Sequence, residues 1–223
     1  IIKQSVIDTA KITLPEKIFN ELYMCVPSDD GGNPFGYDHI RACIRPCISN
    51  KEPVCFGVDL GRKIDETVII GLDEDGNVCR YTSFKESWEF TIKTVLNICG
   101  STPTVIDATG VGDPIHEILQ TVGGFNFEPY VLSVQSKQAL IEGLIVGVQQ
   151  HGIGFTEDSD IYRQMMIFEF LHSKTNKFIQ YGAPVGYHDD HVIALALVYK
   201  ALGSFDYTWK GIEELTDYYE NAA

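Results

Sequence analysis

The stretch Cys55–Asp73, Cys-Phe-Gly-Val-Asp-Leu-Gly-Arg-Lys-Ile-Asp-Glu-Thr-Val-Ile-Ile-Gly-Leu-Asp, constrains this chain more than any other. Two runs of strand-forming residues, Val54 to Leu60 and Thr67 to Leu72, flank a short polar turn and read as an antiparallel hairpin. Strand alternation places Asp59 on the face opposite Phe56 and Val58, with only Gly57 on its own side, so something is expected to approach that face. Asp65 stands six residues after Asp59, across the turn. Two carboxylates held close together repel unless they share a proton or bind a hard cation such as magnesium. The same residues also suit a turn with solvated acids, and the hairpin alone leaves both readings open.

Downstream, Asp75-Gly76 is a turn signal that leads into a third antiparallel strand, Val78 to Phe84. Trp88, Ile92, Val95, Leu96 and Cys99 recur at helical spacing, with Gly100 as the stop. Thr104 to Asp107 is a short apolar strand that ends in an acid, followed by the loop Ala-Thr-Gly-Val-Gly-Asp-Pro and a helix from about Pro114 to Thr121. A further strand is expected over Phe127–Val134, then helices over Ser136–Gln150 and Asp158–Phe170. Leu171 to Tyr181 reads as a hairpin or exposed arm turning at Thr175-Asn176. The last helix, Asp190 to Leu202, is apolar nearly all round and must be deeply packed. The order predicts an α/β fold, a mixed sheet with helices on both faces.

Ahead of the hairpin, residues 1–52 read as a leader, with an amphipathic segment at Ile18 to Cys25, a turn-rich run from Pro27 to Gly36 and a short helix over Tyr37–Ile44. Residues 206–223 form an acidic tail. Ile1 in place of a start methionine suggests a piece of a longer polypeptide. With 223 residues, 44% hydrophobic, the chain can bury a substantial core. No apolar run reaches membrane-span length and no secretory signal opens the sequence, so no membrane partner is expected. Six scattered cysteines, several in expected core elements, fit a reducing compartment, and the close pair Cys43 and Cys47 lacks companions for a zinc site. The net charge of −14 has the wrong sign for gripping nucleic acid by bulk electrostatics, unless the acids neutralise bound cations or another part of the protein holds the polymer.

Those acids fall at telling places: Asp59 ends the first strand, Asp107 ends the fourth, and Asp189 with Asp190 opens the last helix. If the first and fourth strands are neighbours, Asp59 and Asp107 adjoin, and a helix entering there brings Asp189 or Asp190 into reach. Converging carboxylates of this kind can hold two divalent ions about 3.5–4 Å apart, the arrangement that hydrolyses phosphodiesters. Taken singly, Asp189 or Asp190 also suits a helix cap and Asp107 a hydrogen bond to its own loop. His188 and His191 suit a general base, a soft-metal ligand or a hydrogen-bonded scaffold residue. Arg62 and Lys63 could face a polyanion or offset Asp59 and Asp65, and Lys137, in the first turn of its helix, suits a phosphate contact or a plain surface lysine.

Four segments together resemble the nuclease domain of the large terminase subunit of tailed bacteriophages: Gly-Val-Asp-Leu-Gly with Asp65 beyond it, Val-Ile-Asp-Ala-Thr-Gly-Val-Gly, Lys137-Gln-Ala-Leu-Ile-Glu-Gly-Leu, and Ala-Pro-Val-Gly-Tyr-His-Asp-Asp-His-Val-Ile-Ala-Leu-Ala-Leu. The likeness runs from about Pro53 to Leu202, and the closing His-Asp-Asp is its most specific part. The resemblance implies an RNase H-like five-stranded sheet over residues 53–205 with an added hairpin arm. It implies a metal-dependent endonuclease, using two Mg²⁺ or Mn²⁺ ions, that cuts concatemeric viral DNA during genome packaging in the host cytoplasm. By position Asp59, Asp107 and Asp190 match the catalytic metal-binding acids, with Asp65 and Asp189 as accessory ligands. Lys174 and Lys177 on the arm, with Lys137, would contact double-stranded DNA. Portal protein, small terminase subunit and a packaging ATPase domain in the same full-length chain are the implied partners.

No Gly-x-x-x-x-Gly-Lys-[Ser/Thr] loop is present, since Gly110-Val-Gly112 lacks the lysine. The competing readings are an actin-like or sugar-kinase-like ATPase, whose phosphate clamp also uses Asp-x-Gly hairpins, a non-catalytic packaging module, and a Holliday-junction resolvase of similar chemistry.

Overall fold

The structure is a computed structural model that describes residues 3–26, 32–61, 65–110, 112–123, 126–171 and 180–203. In chain order the elements are α1 (Gln4–Thr13), α2 (Glu16–Tyr23), α3 (Tyr37–Ala42), β1 (Ile44–Arg45), β2 (Cys55–Asp59), β3 (Thr67–Leu72) and β4 (Val78–Phe84). There follow α4 (Trp88–Cys99), β5 (Thr104–Asp107), α5 (Gly112–Gly123), β6 (Phe127–Tyr130), α6 (Val134–Gln149), β7 (Phe155–Thr156), α7 (Asp160–Ile167), β8 (Glu169–Leu171) and β9 (Gln180–Gly182). A last helix, α8, spans 190–203. Among the described residues no helix is long and apolar enough to cross a membrane.

β2 to β6 form one five-stranded sheet in the order β4-β3-β2-β5-β6. β2 pairs antiparallel with β3, and β3 with β4, while β5 and β6 run parallel to β2. The chain therefore leaves β2 toward one edge of the sheet and returns to its other side at β5, which makes the seam between β2 and β5 a topological switch point. Period-two alternation divides the apolar side chains between two cores. On one face Cys55, Val68, Ile70, Leu72 and Val105 meet α6 and α8, and on the other Phe56, Val58, Ile69 and Ile106 meet Val95 of α4 and Leu119 of α5. β3 is buried along its whole length, as a strand covered on both faces must be.

α8 is buried from His191 to Val198, and it answers the expectation that something approaches the Gly57 face. A Cβ at Gly57 would collide with the Ala194 carbonyl and the Val198 amide, and would lie 2.8 Å from the Val198 Cβ. Only a residue without a side chain lets the helix backbone lie directly on the strand. The described residues ahead of β2 are also stitched in: Phe35, Ile40 and Cys43 are fully buried in the core on the α8 side. Glu16 and Gln150 bind α1 and α2 to the end of α6, through Glu16 N–H to Gln149 Oε1 at 3.0 Å and Gln150 Nε2 to the Ile12 carbonyl at 2.9 Å.

Several boundaries differ from the expected ones. β6 stops at Tyr130 rather than Val134, because Ser133 and Ser136 form a reciprocal capping box that starts α6 at Val134. α7 ends at Ile167, since Phe168 is extended and leads into β8, which pairs antiparallel with β9 as the stem of a hairpin. The expected turn at Thr175-Asn176 lies outside the described residues. α1, and the two-residue parallel pair β1 and β7, were not foreseen. The Asp75-Gly76 turn is as expected, with Gly76 at φ 78° donating its N–H to the Asp73 carbonyl at 3.0 Å.

Gly57→Ala is expected to push α8 off the sheet at an overpacking cost of about 1–3 kcal/mol, measurable as a lower urea midpoint. A variant that melts like the wild type would show that α8 does not rest on β2.

Candidate functional site

β2 and β5 lie side by side with Val58 opposite Ile106, so the next residues, Asp59 and Asp107, occupy matching ends of adjacent parallel strands. Both share the parity of residues that face α6 and α8. Asp190 begins α8, one helical turn before Ala194, whose carbonyl rests on Gly57. The Gly57 contact therefore fixes how near Asp190 comes to Asp59, which stands two residues further along the strand.

The electrostatics record this gathering. The Asp59 carboxyl is held well above the usual aspartate range, first by burial and then by the like charges of Asp107, Asp190 and Asp189, with Lys137 acting in the opposite sense. Asp190 is likewise raised, by burial first; His188 and His191 oppose this, while Asp189 and Asp65 add to it. Among the described residues, one lysine thus faces four carboxylates. Lys137 donates from Nζ to Asp189 Oδ2 at 2.7 Å, so its ammonium serves as a resident counter-charge.

Asp107 is held by its own loop. Thr109 donates to Asp107 Oδ1 from its N–H at 2.8 Å and from its hydroxyl at 2.5 Å, and the same hydroxyl accepts from the Leu132 N–H at 2.7 Å. The loop hydrogen bond that Asp107 alone suggested is thus present, and it fixes the carboxylate at the strand end. Asp65 is exposed, 3.8 Å from His188 Nδ1, and that nitrogen lies 3.9 Å from Asp190 Oδ2. The turn between β2 and β3 is closed by Thr67, whose hydroxyl donates to the Gly61 carbonyl at 2.9 Å and accepts from the Gly61 N–H at 3.2 Å. His191 is a hydrogen-bonded scaffold residue, engaged by Tyr81, Glu66 and Gln164.

The structure thus brings Asp59, Asp107, Asp189, Asp190 and Lys137 together, with Asp65 at the rim. Lys174, Lys177, Arg62 and Lys63 lie outside the described residues. Thr109, Glu66 and Tyr81 escaped the sequence reading. Thr109 had a signal, as a hydroxyl two residues past a strand-end acid, whereas Glu66 and Tyr81 gain their places only when β3 and β4 meet α8.

An all-carboxylate donor set suits a hard divalent cation. Among the described residues no three His, Cys, Asp or Glu side chains close around a single point. Asp107 is engaged by Thr109 and Asp189 by Lys137. The donor chemistry fits such an ion, and the buried like charges around Asp59 give it a favourable place.

No family model matches the chain. A terminase large subunit of Thermus virus P23-45 is 28% identical over 151 residues, which cover 65% of this chain and 31% of that protein, so the chain spans about a third of that relative. The large terminase nuclease of thermophilic phage G20c with bound magnesium superposes with a TM-score of 0.62 at 24% identity, covering 74% of this chain and 95% of the other. The same nuclease with bound cobalt gives a TM-score of 0.59 at 26% identity over 69% of this chain and 83% of the other. The chain is therefore similar in sequence to phage terminase large subunits, and its mixed five-stranded sheet has the RNase H-like fold of large terminase nuclease domains.

Proposed function

We propose that this chain is a divalent-metal-dependent DNA endonuclease, whose RNase H-like domain at about residues 53–205 cuts concatemeric viral DNA during genome packaging in the host cytoplasm. The observation that carries this reading is the set of carboxylates from Asp59, Asp107, Asp189 and Asp190 at the switch point between two parallel strands, where open α/β sheets bind their ligands. The relatives and their bound magnesium and cobalt support it. Residues 1–52 would join the domain to a packaging ATPase in the same polypeptide, and portal protein and small terminase subunit would be its partners.

In this reading Asp59, Asp107 and Asp190 hold two Mg²⁺ or Mn²⁺ ions, with Asp65 and Asp189 as accessory ligands. When bound, such ions lower the pKa of water and stabilise the leaving oxygen of a phosphodiester. The chain's own groups prepare the site. Thr109 aims Asp107, α8 brings Asp190 down on Gly57, and burial strengthens every charge interaction around Asp59. Lys137 is the described lysine best placed to meet a DNA phosphate, once an ion takes over the neutralisation of Asp189. Lys174 and Lys177 on the arm would add phosphate contacts. Cation binding among the acids also offsets the net charge of −14, which otherwise repels the polymer.

The test is plasmid cleavage by the purified chain with Mn²⁺, Mg²⁺ or EDTA, beside Asp59→Ala and Asp107→Ala. Cutting that needs metal and falls to background in both folded variants is the expected result. A folded wild type that never cuts, or a variant that still does, overturns the assignment.

A second expectation concerns pH. Asp59 titrates above its ordinary value of about 3.9 in the folded chain, so the folded state binds that proton more tightly than the unfolded one. Its contribution to stability therefore falls as pH rises from the ordinary value through the raised one, and is not recovered above it. In EDTA, Asp59→Asn should melt above the wild type at pH 8, with the gap narrowing toward pH 5. Thermal melts showing an equal or lower melting temperature for the variant at pH 8 would contradict this.

A further inference from the structure

The first turn of α8 is tied to the β2–β3 hairpin by one side chain, His191, which is 2% exposed. Its Nδ1 lies 2.8 Å from the Tyr81 hydroxyl of β4, and its Nε2 lies 3.1 Å from Glu66 Oε2, just before β3. Its backbone N–H donates to Gln164 Oε1 of α7 at 2.9 Å. Burial raises the Tyr81 phenol above its usual range, so it remains an O–H donor. In the tautomer with its ring proton on Nε2, the imidazole donates to the Glu66 carboxylate and accepts at Nδ1 from the Tyr81 hydroxyl. The ring thus serves Tyr81 and Glu66, and the backbone N–H serves Gln164.

Those partners stand next to the acids. Glu66 follows Asp65, and His191 follows Asp190, so the hydrogen bond between Glu66 and His191 joins the two segments that carry the opposite sides of the carboxylate cluster. Outside it, exposed His188 stands between Asp65 and Asp190 at 3.8 and 3.9 Å, a looser contact. Like charges at Asp59, Asp107, Asp189 and Asp190 oppose a close approach of the start of α8 to the sheet. Apolar packing from Val192 onward anchors the body of the helix, but the first turn needs a directional tie. An apolar side chain could fill the volume of His191 without supplying one.

We propose that His191, held by Tyr81 and Glu66, is a positioning residue that sets where Asp190 stands relative to Asp59, and thereby the affinity of the carboxylate cluster for divalent ions. The proposal rests on the metal-nuclease reading above, to which it adds second-layer residues that bind no ion themselves. Partners of this kind typically govern metal affinity by about 10–100-fold.

The test titrates the full chain with Mn²⁺ and reads free ion by electron paramagnetic resonance, in wild type, His191→Leu, His191→Gln, Tyr81→Phe, Glu66→Ala and Asp59→Ala. Melting temperatures and the Mn²⁺ dependence of plasmid cleavage are recorded alongside. His191→Leu should weaken Mn²⁺ binding by about 10–100-fold and raise the half-saturating Mn²⁺ for cleavage in parallel, leaving the KM for DNA at saturating Mn²⁺ unchanged. His191→Gln, which keeps an amide N–H for Glu66, should recover part of the loss. Tyr81→Phe and Glu66→Ala should each weaken binding, and they carry the test if His191→Leu does not fold. Variants that melt lower yet bind Mn²⁺ as tightly as wild type would make His191 purely structural and overturn the proposal while the metal site stands. A wild type that binds no Mn²⁺ would overturn the metal reading itself, and the proposal with it.

Discussion

The contact between Gly57 and the backbone of α8 is the constraint on which the rest of the arrangement depends. A strand and a helix ordinarily stand apart by the thickness of their side chains. Here that layer is missing at one point, and the Ala194 carbonyl and Val198 amide occupy the space a Cβ would need. The helix is pinned at depth, with Asp190 one turn before the contact and Asp59 two residues beyond it on the strand. Without that glycine the acids would be carried by the same elements yet would stand further apart. A packing detail in the middle of the sheet thus determines the electrostatics at its end.

Those electrostatics work against the fold that creates them. Asp59 is half-buried among like charges, and among the described residues Lys137 offsets them. Like charges gathered in a poorly solvated place cost stability, and a protein keeps them only where something else compensates. Thr109 on Asp107, Lys137 on Asp189 and the apolar length of α8 supply that compensation. The same crowding of carboxylates is the donor chemistry that suits a hard divalent cation.

The sheet and the ends of its strands were legible because their signals are local. The hairpin of β2 and β3, the turn at Gly76 and the acid-terminated β5 each follow from residues within a few positions of one another. Errors arose where a short-range signal competed with a longer pattern. Tyr130 to Val134 is rich in strand formers, yet two serines that cap each other's backbone end the strand early. Phe168 fits a helical stripe, yet pairing of the next residues with Gln180–Gly182 draws it into an extended path. β1 and β7, two residues each, carry no periodicity to read. The acids of the candidate site could be picked out singly, since each closes or opens an element. The tie from Tyr81 through His191 to Glu66 could not, because its members come from three elements and share no spacing in the sequence.

Asp59 and Asp190 stand 131 positions apart, and the pairing of β2 with β5 that brings in Asp107 is itself non-local. Closing loops of such length costs more chain entropy than closing the hairpin does. A chain that has built its hairpin and its first helices but has not yet docked α8 holds Asp59 and Asp107 without Asp190. Such a partly folded chain lacks the complete acid cluster. The acid cluster is therefore complete only when the helix has docked on the strand.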